Sequence, residues 1–232
     1  SGPMRTHVFA PLSGGNYPGI VLWSEIFQLT EPIARTAAWL AGHGYVVAVP
    51  EIYHEYEEPG AVFAYDAEGG ARGNELKTTK PLANYDSDAR AALDYLTTHA
   101  QCSGKLGTLG ICIGGHLAFR TAFNKDVSAA VCFYATDIHK RSLGAGMNDD
   151  SLDRIGEIEG ELLMIWGRQD PHIPREGRRV VYDALADAEV NFQWLEVNGE
   201  HAFLRDVGPR YNPSLAGQCL SWALEVFGRN LS

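Results

Sequence analysis

The sequence predicts an α/β fold, with a mostly parallel, twisted sheet and helices on both faces. Three observations lead there. Short, mostly apolar runs such as GIVLW (19–23) and ELLMIWG (161–167) read as strands buried on both sides. They alternate with stretches of helical period, the pattern of successive β–α units. One apolar run, KLGTLG (105–110), passes directly into a glycine-bracketed turn that opens a helix.

The elements follow in order. GIVLW is a strand. EPIARTAAWLAGHG (31–44) is a helix, with Thr30 as N-cap, Pro32 in its first turn and Gly44 at its end. YVVAVP (45–50) is the next strand. Residues 54–82 are polar and glycine-rich, and are expected to run over the sheet edge. SDARAALDYLTTHA (87–100) is an amphipathic helix capped near Ser87 or Asp88. KLGTLG is a strand and a helix covers 113–124. SAAVCFYA (128–135) is a strand, and 140–156 form a loop with a turn or short helix. After ELLMIWG come a helix at 175–188, a strand at 190–197 and a final helix at 214–229. Ligands of such folds bind at the carboxyl ends of strands.

The chain has 232 residues, 45% of them hydrophobic, enough for one core. A single domain over 4–232 is expected, Ser1 to Pro3 being read as a remnant of cloning. With 19 basic and 29 acidic residues the net charge is −10. No basic run appears, so no nucleic-acid partner is expected, and any anion site must be built locally. No apolar stretch approaches the ~20 residues of a membrane span. No signal peptide is apparent. Cys102, Cys112, Cys132 and Cys219 form no CxxC pair, which argues against a zinc site or a disulfide framework. Reduced thiols suggest the cytoplasm. The oligomeric state is not legible.

The chemistry centres on LGICIGGHLAF (109–119). It has the shape of a nucleophile elbow, G-x-S-x-G, with Cys112 where serine is expected. The glycines at 110, 114 and 115 leave room for a sharp strand-to-helix turn. A helix N-terminus at Cys112 favours a thiolate. The alternative is a buried cysteine beside a turn, since free cysteine is commonly buried. Two further residues stand at strand ends in the chain order nucleophile, acid, histidine. Asp170 in MIWGRQDPHIP can orient an imidazole, and His201 in VNGEHAF can carry protons. Each alone would pass for a turn aspartate or a surface histidine; the ordered set is what points to catalysis. His172 is placed to line a pocket, and His116, inside the elbow helix, either packs or faces solvent. Asp137, His139, Asp170 and His172 show no metal-ligand spacing, so no metal and no cofactor are expected.

The joint pattern GICIGG, WGRQDPHIP and GEHAFLR resembles the dienelactone hydrolase family of the α/β-hydrolase superfamily, over nearly the whole chain. The resemblance implies an α/β-hydrolase fold and hydrolysis of an enol-lactone to an open-chain acid. It implies Cys112 as nucleophile, His201 as general base and acid, and Asp170 as the orienting carboxylate. WSEIF supplies Glu25, which in the family touches the resting thiol and helps generate the thiolate. HAFLR supplies Arg205, which binds the substrate carboxylate and pairs with that glutamate. The backbone N–H groups of Ile26 and Ile113 would form the oxyanion hole.

The family's second carboxylate-binding arginine lies upstream of residue 87. Here EGGARGNELKTTKP offers Arg72, with Lys77 and Lys80 as rivals. A lysine would present a point charge rather than a bidentate fork. The expected substrate is a small activated ester or lactone, cleaved through an acyl-enzyme, with side activity on neutral phosphotriesters. An esterase or thioesterase with another substrate, or a non-catalytic ligand-binding member of the superfamily, are the alternatives.

Overall fold

A computed structural model describes residues 2–232. Seven strands form one sheet in the order β1-β3-β2-β4-β5-β6-β7. They are β1 (Thr6–Phe9), β2 (Tyr17–Trp23), β3 (Val46–Pro50), β4 (Cys102–Ile111), β5 (Val127–Phe133), β6 (Glu161–Gly167) and β7 (Phe192–Val197). Only β1 runs antiparallel, against β3; every other pairing is parallel. The helices are α1 (Glu31–Gly42), α2 (Ala67–Thr79), α3 (Leu82–Thr98), α4 (Ile113–Thr121), α5 (Arg175–Asp187) and α6 (Pro213–Asn230). No helix among the described residues is long and apolar enough to cross a membrane.

The apolar strands do what their composition requires. Val46 to Val49 and Leu162 to Ile165 are fully buried, covered on both faces of the sheet. The chain leaves β2 toward β3 on one side, then returns across β2 to start β4 on the other. The carboxyl ends of β2 and β4 therefore diverge into a crevice, the switch point at which open α/β sheets bind ligands. Glu25 follows β2 and Cys112 follows β4.

The structure departs from the sequence expectations in several places. β1 was not anticipated; as a four-residue edge strand it has little apolar pattern. Helix α1 stops at Gly42, and Gly44 turns out of it at φ 88°. Thr30 stands at its N-cap, but its hydroxyl bonds Tyr65 at 2.6 Å and not the helix backbone. Helix α3 begins at Leu82, five residues before the expected cap. Asp88 faces inward instead, bonded to the buried Lys80 at 2.5 Å and to His54. The helix expected at 113–124 ends at Thr121. Short 3-10 turns occupy 138–140 and 155–157.

The larger difference is α2, for which no helix was expected within the polar, glycine-rich excursion of 54–82. Asp66 caps it by accepting from the Gly69 N–H at 2.8 Å. Gly73 has a packing reason: a Cβ there would lie 2.6 Å from the Ile26 carbonyl oxygen. Its glycines lower helix propensity and hid the helix. They also let it press against the loop that carries Glu25.

Candidate active site

Cys112 sits between β4 and α4 with φ 64° and ψ −121°, a conformation that costs strain in any non-glycine residue. The neighbouring glycines make it possible. A Cβ on Gly110 would stand 1.7 Å from the Gly114 carbonyl oxygen, and one on Gly114 would stand 2.2 Å from the Trp23 carbonyl oxygen. The turn is fixed by the Cys112 N–H donating to Phe133 O (3.1 Å) and by Cys112 O accepting from Thr136 N (3.2 Å). The thiol is 9% exposed, at the floor of a cavity of about 320 Å³.

Asp170 and His201 arrive from the loops after β6 and β7, and both are buried. Asp170 Oδ2 is 2.6 Å from His201 Nδ1, and Oδ1 accepts from the His172 N–H at 2.8 Å. Both carboxylate oxygens are thus engaged. Burial disfavours charge on His201, but the Cys112 thiolate and the Asp170 carboxylate outweigh it and lift the imidazole to about 10. The Tyr134 ring stands edge-on to His201 at 4.9 Å and that of His172 at 4.7 Å, limiting how the imidazole can tilt.

Glu25 is 2% exposed, and burial pushes its carboxyl up, against the pull of Arg205, Tyr65 and His201. Tyr65 donates to it at 2.8 Å, and Arg205 Nη1 lies 3.8 Å away. Arg205 also stacks on the Tyr65 ring, 4.1 Å from its centroid. Ile26 lines the cavity, and its N–H makes no backbone hydrogen bond among the described residues. Ile113 is the first residue of α4, so its N–H cannot be bonded within the helix. Both N–H groups thus lack a backbone partner, one in the loop after β2 and one at the start of α4 after β4.

Arg72 is not part of this group. It pairs with Glu57 (2.6 Å) and Glu75 (2.8 Å) and does not line the cavity. Lys77 does, paired with Asp137 at 2.9 Å. Lys77 stands five helical positions after Arg72, which turns their side chains about 140° apart. Lys80 is fully buried and holds Asp88 and Glu55 instead. Lys140 and Arg210 also reach the cavity, as do His172 and Asp66. Sequence reasoning missed Tyr65, Tyr134, Lys140 and Arg210. Only their aromatic or basic character could have flagged them. His116 packs in the core, its Nε2 2.7 Å from Ser151 Oγ.

Two groups bring three potential metal donors within 4.8 Å of one another. In Asp170, His172 and His201 the carboxylate is already committed to hydrogen bonds. In His54, Glu55 and Asp88 the Lys80 ammonium occupies the position a cation would take.

Comparison with known proteins agrees with this architecture. The model of the dienelactone hydrolase family matches residues 4–231. A Saccharomyces cerevisiae protein provisionally named a carboxymethylenebutenolidase is 41% identical, over 98% of this chain and 87% of its own. A crystal structure from Klebsiella pneumoniae, provisionally named a dienelactone hydrolase, superposes with a TM-score of 0.87 at 23% identity, covering 97% of this chain and 93% of that one. A dienelactone hydrolase-like promiscuous phosphotriesterase from metagenomic libraries shares the fold at a TM-score of 0.74 and 19% identity, over the full length of both chains. The seven-stranded sheet is an α/β-hydrolase sheet, and the chain belongs to the dienelactone hydrolase family, as a hydrolase of that type.

Proposed function

We propose that this hydrolase cleaves activated esters or enol-lactones through a thioester acyl-enzyme on Cys112. The observation that carries the reading is the strained Cys112 turn beside His201, whose Nδ1 is held by Asp170 at 2.6 Å. Cys112 Sγ attacks the carbonyl carbon, and the oxyanion forms toward the N–H groups of Ile26 and Ile113. The tetrahedral carbon then expels its enolate or aryloxide oxygen, which takes the His201 Nε2 proton. In a lactone that oxygen stays tethered to the acyl group. His201 next removes a proton from water, the hydroxide attacks the thioester, and the C–S bond breaks to restore the thiolate and imidazolium. A thiolate leaves more readily than an alkoxide, so the leaving oxygen must be that of a good leaving group.

Arg205 takes the carboxylate of an anionic substrate, releasing Glu25 toward the thiol. Lys77 supplies the second positive charge in place of Arg72. The test is a panel of enol-lactones, aryl esters and thioesters, with Cys112→Ala as control. Pre-steady-state release of one chromophore per chain supports the acyl-enzyme; Cys112→Ala hydrolysing at the wild-type rate overturns it.

We extend the reading to weak turnover of neutral aryl phosphotriesters, because a cavity of about 320 Å³ has room for a trisubstituted phosphorus. Sγ would attack phosphorus and expel aryloxide, and water would then clear the phosphothioester. Incubation with a nitrophenyl dialkyl phosphate and intact mass measurement tests it; no adduct and no turnover above Cys112→Ala ends the idea.

A further inference from the structure

A second cleft, of about 410 Å³, lies between α5 and the edge strand β7, behind the loop that carries Asp170. One face of α5 lines it. Arg175, Arg178, Arg179 and Tyr182 recur at the three- and four-residue spacing that puts side chains on one side of a helix. Trp194, on β7, forms the floor, with the Tyr182 ring edge-on to it at 5.3 Å. Arg168 closes the cleft from the end of β6.

The charges here run against the molecule as a whole. The chain carries −10, yet this cleft gathers four of its arginines against two carboxylates, Asp183 and Glu196. Those carboxylates are already in use. Glu196 Oε1 accepts from Trp194 Nε1 at 3.2 Å and lies 3.3 Å from Arg178 Nε, while Asp183 pairs with Arg179 at 3.4 Å. Arg168 and Arg175 pair with no carboxylate among the described residues. Arg178 is built into the wall at 4% exposure. Its Nη1 donates to Ile173 O at 2.8 Å, and its Nε makes no well-aligned hydrogen bond despite the nearby Glu196. A surface that only needed solubility would not gather unpaired guanidinium groups around an aromatic floor, since like charges repel and each group costs side-chain entropy to hold.

We propose that this cleft is a binding site, separate from the catalytic cavity, for a small dianion carried on a flat ring, such as an aryl phosphate monoester or an aryl dicarboxylate. Two positive charges in excess match a dianion. Guanidinium forks suit its paired oxygens, and the half-buried Trp194 and exposed Tyr182 rings suit the ring.

The experiment is titration calorimetry of Cys112→Ala protein, which cannot turn the probe over by thiol chemistry, with phenyl phosphate, phthalate and inorganic phosphate. Phenyl phosphate should bind at one site, more tightly than inorganic phosphate, and more weakly as salt rises. Comparison with phthalate tells phosphate from carboxylate preference. Adding R168A and R175A should weaken binding about tenfold, with the unfolding temperature as the check on the fold. Adding Arg205→Ala should leave it unchanged, because that residue lines the other cavity. The indole N–H resonance of Trp194, assigned with W194F, should shift on saturation. Binding abolished by Arg205→Ala but untouched by R168A/R175A would place the anion in the catalytic cavity and overturn the proposal. So would binding no tighter than that of inorganic phosphate, or none.

Discussion

Replacing Asp170 by asparagine should lower kcat/KM for an aryl ester about a hundredfold while leaving the fold intact. Asp170 is 4% exposed and uses both oxygens, one for the His172 N–H at 2.8 Å and one for His201 Nδ1 at 2.6 Å. An asparagine can keep only one of these as an acceptor. If its oxygen stays on the His172 N–H, its NH2 group faces Nδ1 and forces that nitrogen to accept. The mobile proton then sits on Nε2, facing the sulfur, and the imidazole cannot take another. A buried charge-assisted hydrogen bond is worth about 1.5–3 kcal/mol, or roughly ten- to a hundredfold in rate. The tautomer error puts the effect at the upper end. The side chains are nearly isosteric, so the unfolding temperature should hardly move. Stopped-flow hydrolysis of p-nitrophenyl acetate gives the rate, and NMR titration should find the His201 pKa well below its wild-type position near 10. Wild-type kcat/KM, or an imidazole still titrating near 10, would refute the orienting role.

Iodoacetamide should label Cys112 before the other three cysteines, as peptide mapping can read. Burial pushes up the thiols of Cys102 and Cys132, and that of Cys219 to about 12, whereas Cys112 opens onto the cavity. The sign of the ion-pair effect is set by His201. Its folded pKa is raised above the ordinary imidazole value of 6.5, so its stabilisation is complete below about 6.5 and is lost as pH rises through about 10. The denaturation midpoint of wild type should accordingly fall across that window more than that of Cys112→Ala. Glu25→Gln should stabilise the protein by about 1 kcal/mol at neutral pH, because it removes a buried carboxylate held against desolvation, while slowing turnover; a lower melting temperature would mean that the Arg205 and Tyr65 contacts outweigh burial. Gly114→Ala should cost about 3 kcal/mol or more, or prevent folding, since its Cβ meets the Trp23 carbonyl at 2.2 Å; circular dichroism melting decides it.

The sheet and the elbow were legible because their signals are local. Apolar strand runs carry their reasons within themselves, and Gly110 is required by Gly114 four residues on, although Gly114 itself answers to the distant Trp23 carbonyl. The departures arose where tertiary contact overrides local preference. Helix α2 contains Gly69, Gly70 and Gly73, a poor helix sequence, and is held by the Asp66 cap and by packing on Ile26. Asp88 reads as a cap residue in sequence but is drawn inward by Lys80, a partner eight positions away that only the folded chain brings against it.

The exchange of Arg72 for Lys77 at the cavity follows from the same helix. With no helix assigned within 54–82, nothing decides which basic side chain faces the cavity, and the arginine is the natural choice. Once α2 is a helix capped at Asp66, its rotation is fixed by Gly73 packing on Ile26. Lys77 is four residues beyond Gly73, one turn on and near the same face, so it is carried toward Asp137 and the cavity. Arg72 precedes Gly73 by one residue and is turned about 100° away, toward Glu57. The missing glycine side chain therefore sets both the approach of α2 to the loop after β2 and which basic side chain of α2 reaches the cavity. Lys77→Ala should raise KM for a carboxylate-bearing lactone severalfold and leave it nearly unchanged for a neutral aryl ester, while Arg72→Ala should change neither. Equal effects of Lys77→Ala on the two substrates would make the Lys77–Asp137 pair a structural tie, and leave Arg205 to bind the carboxylate alone.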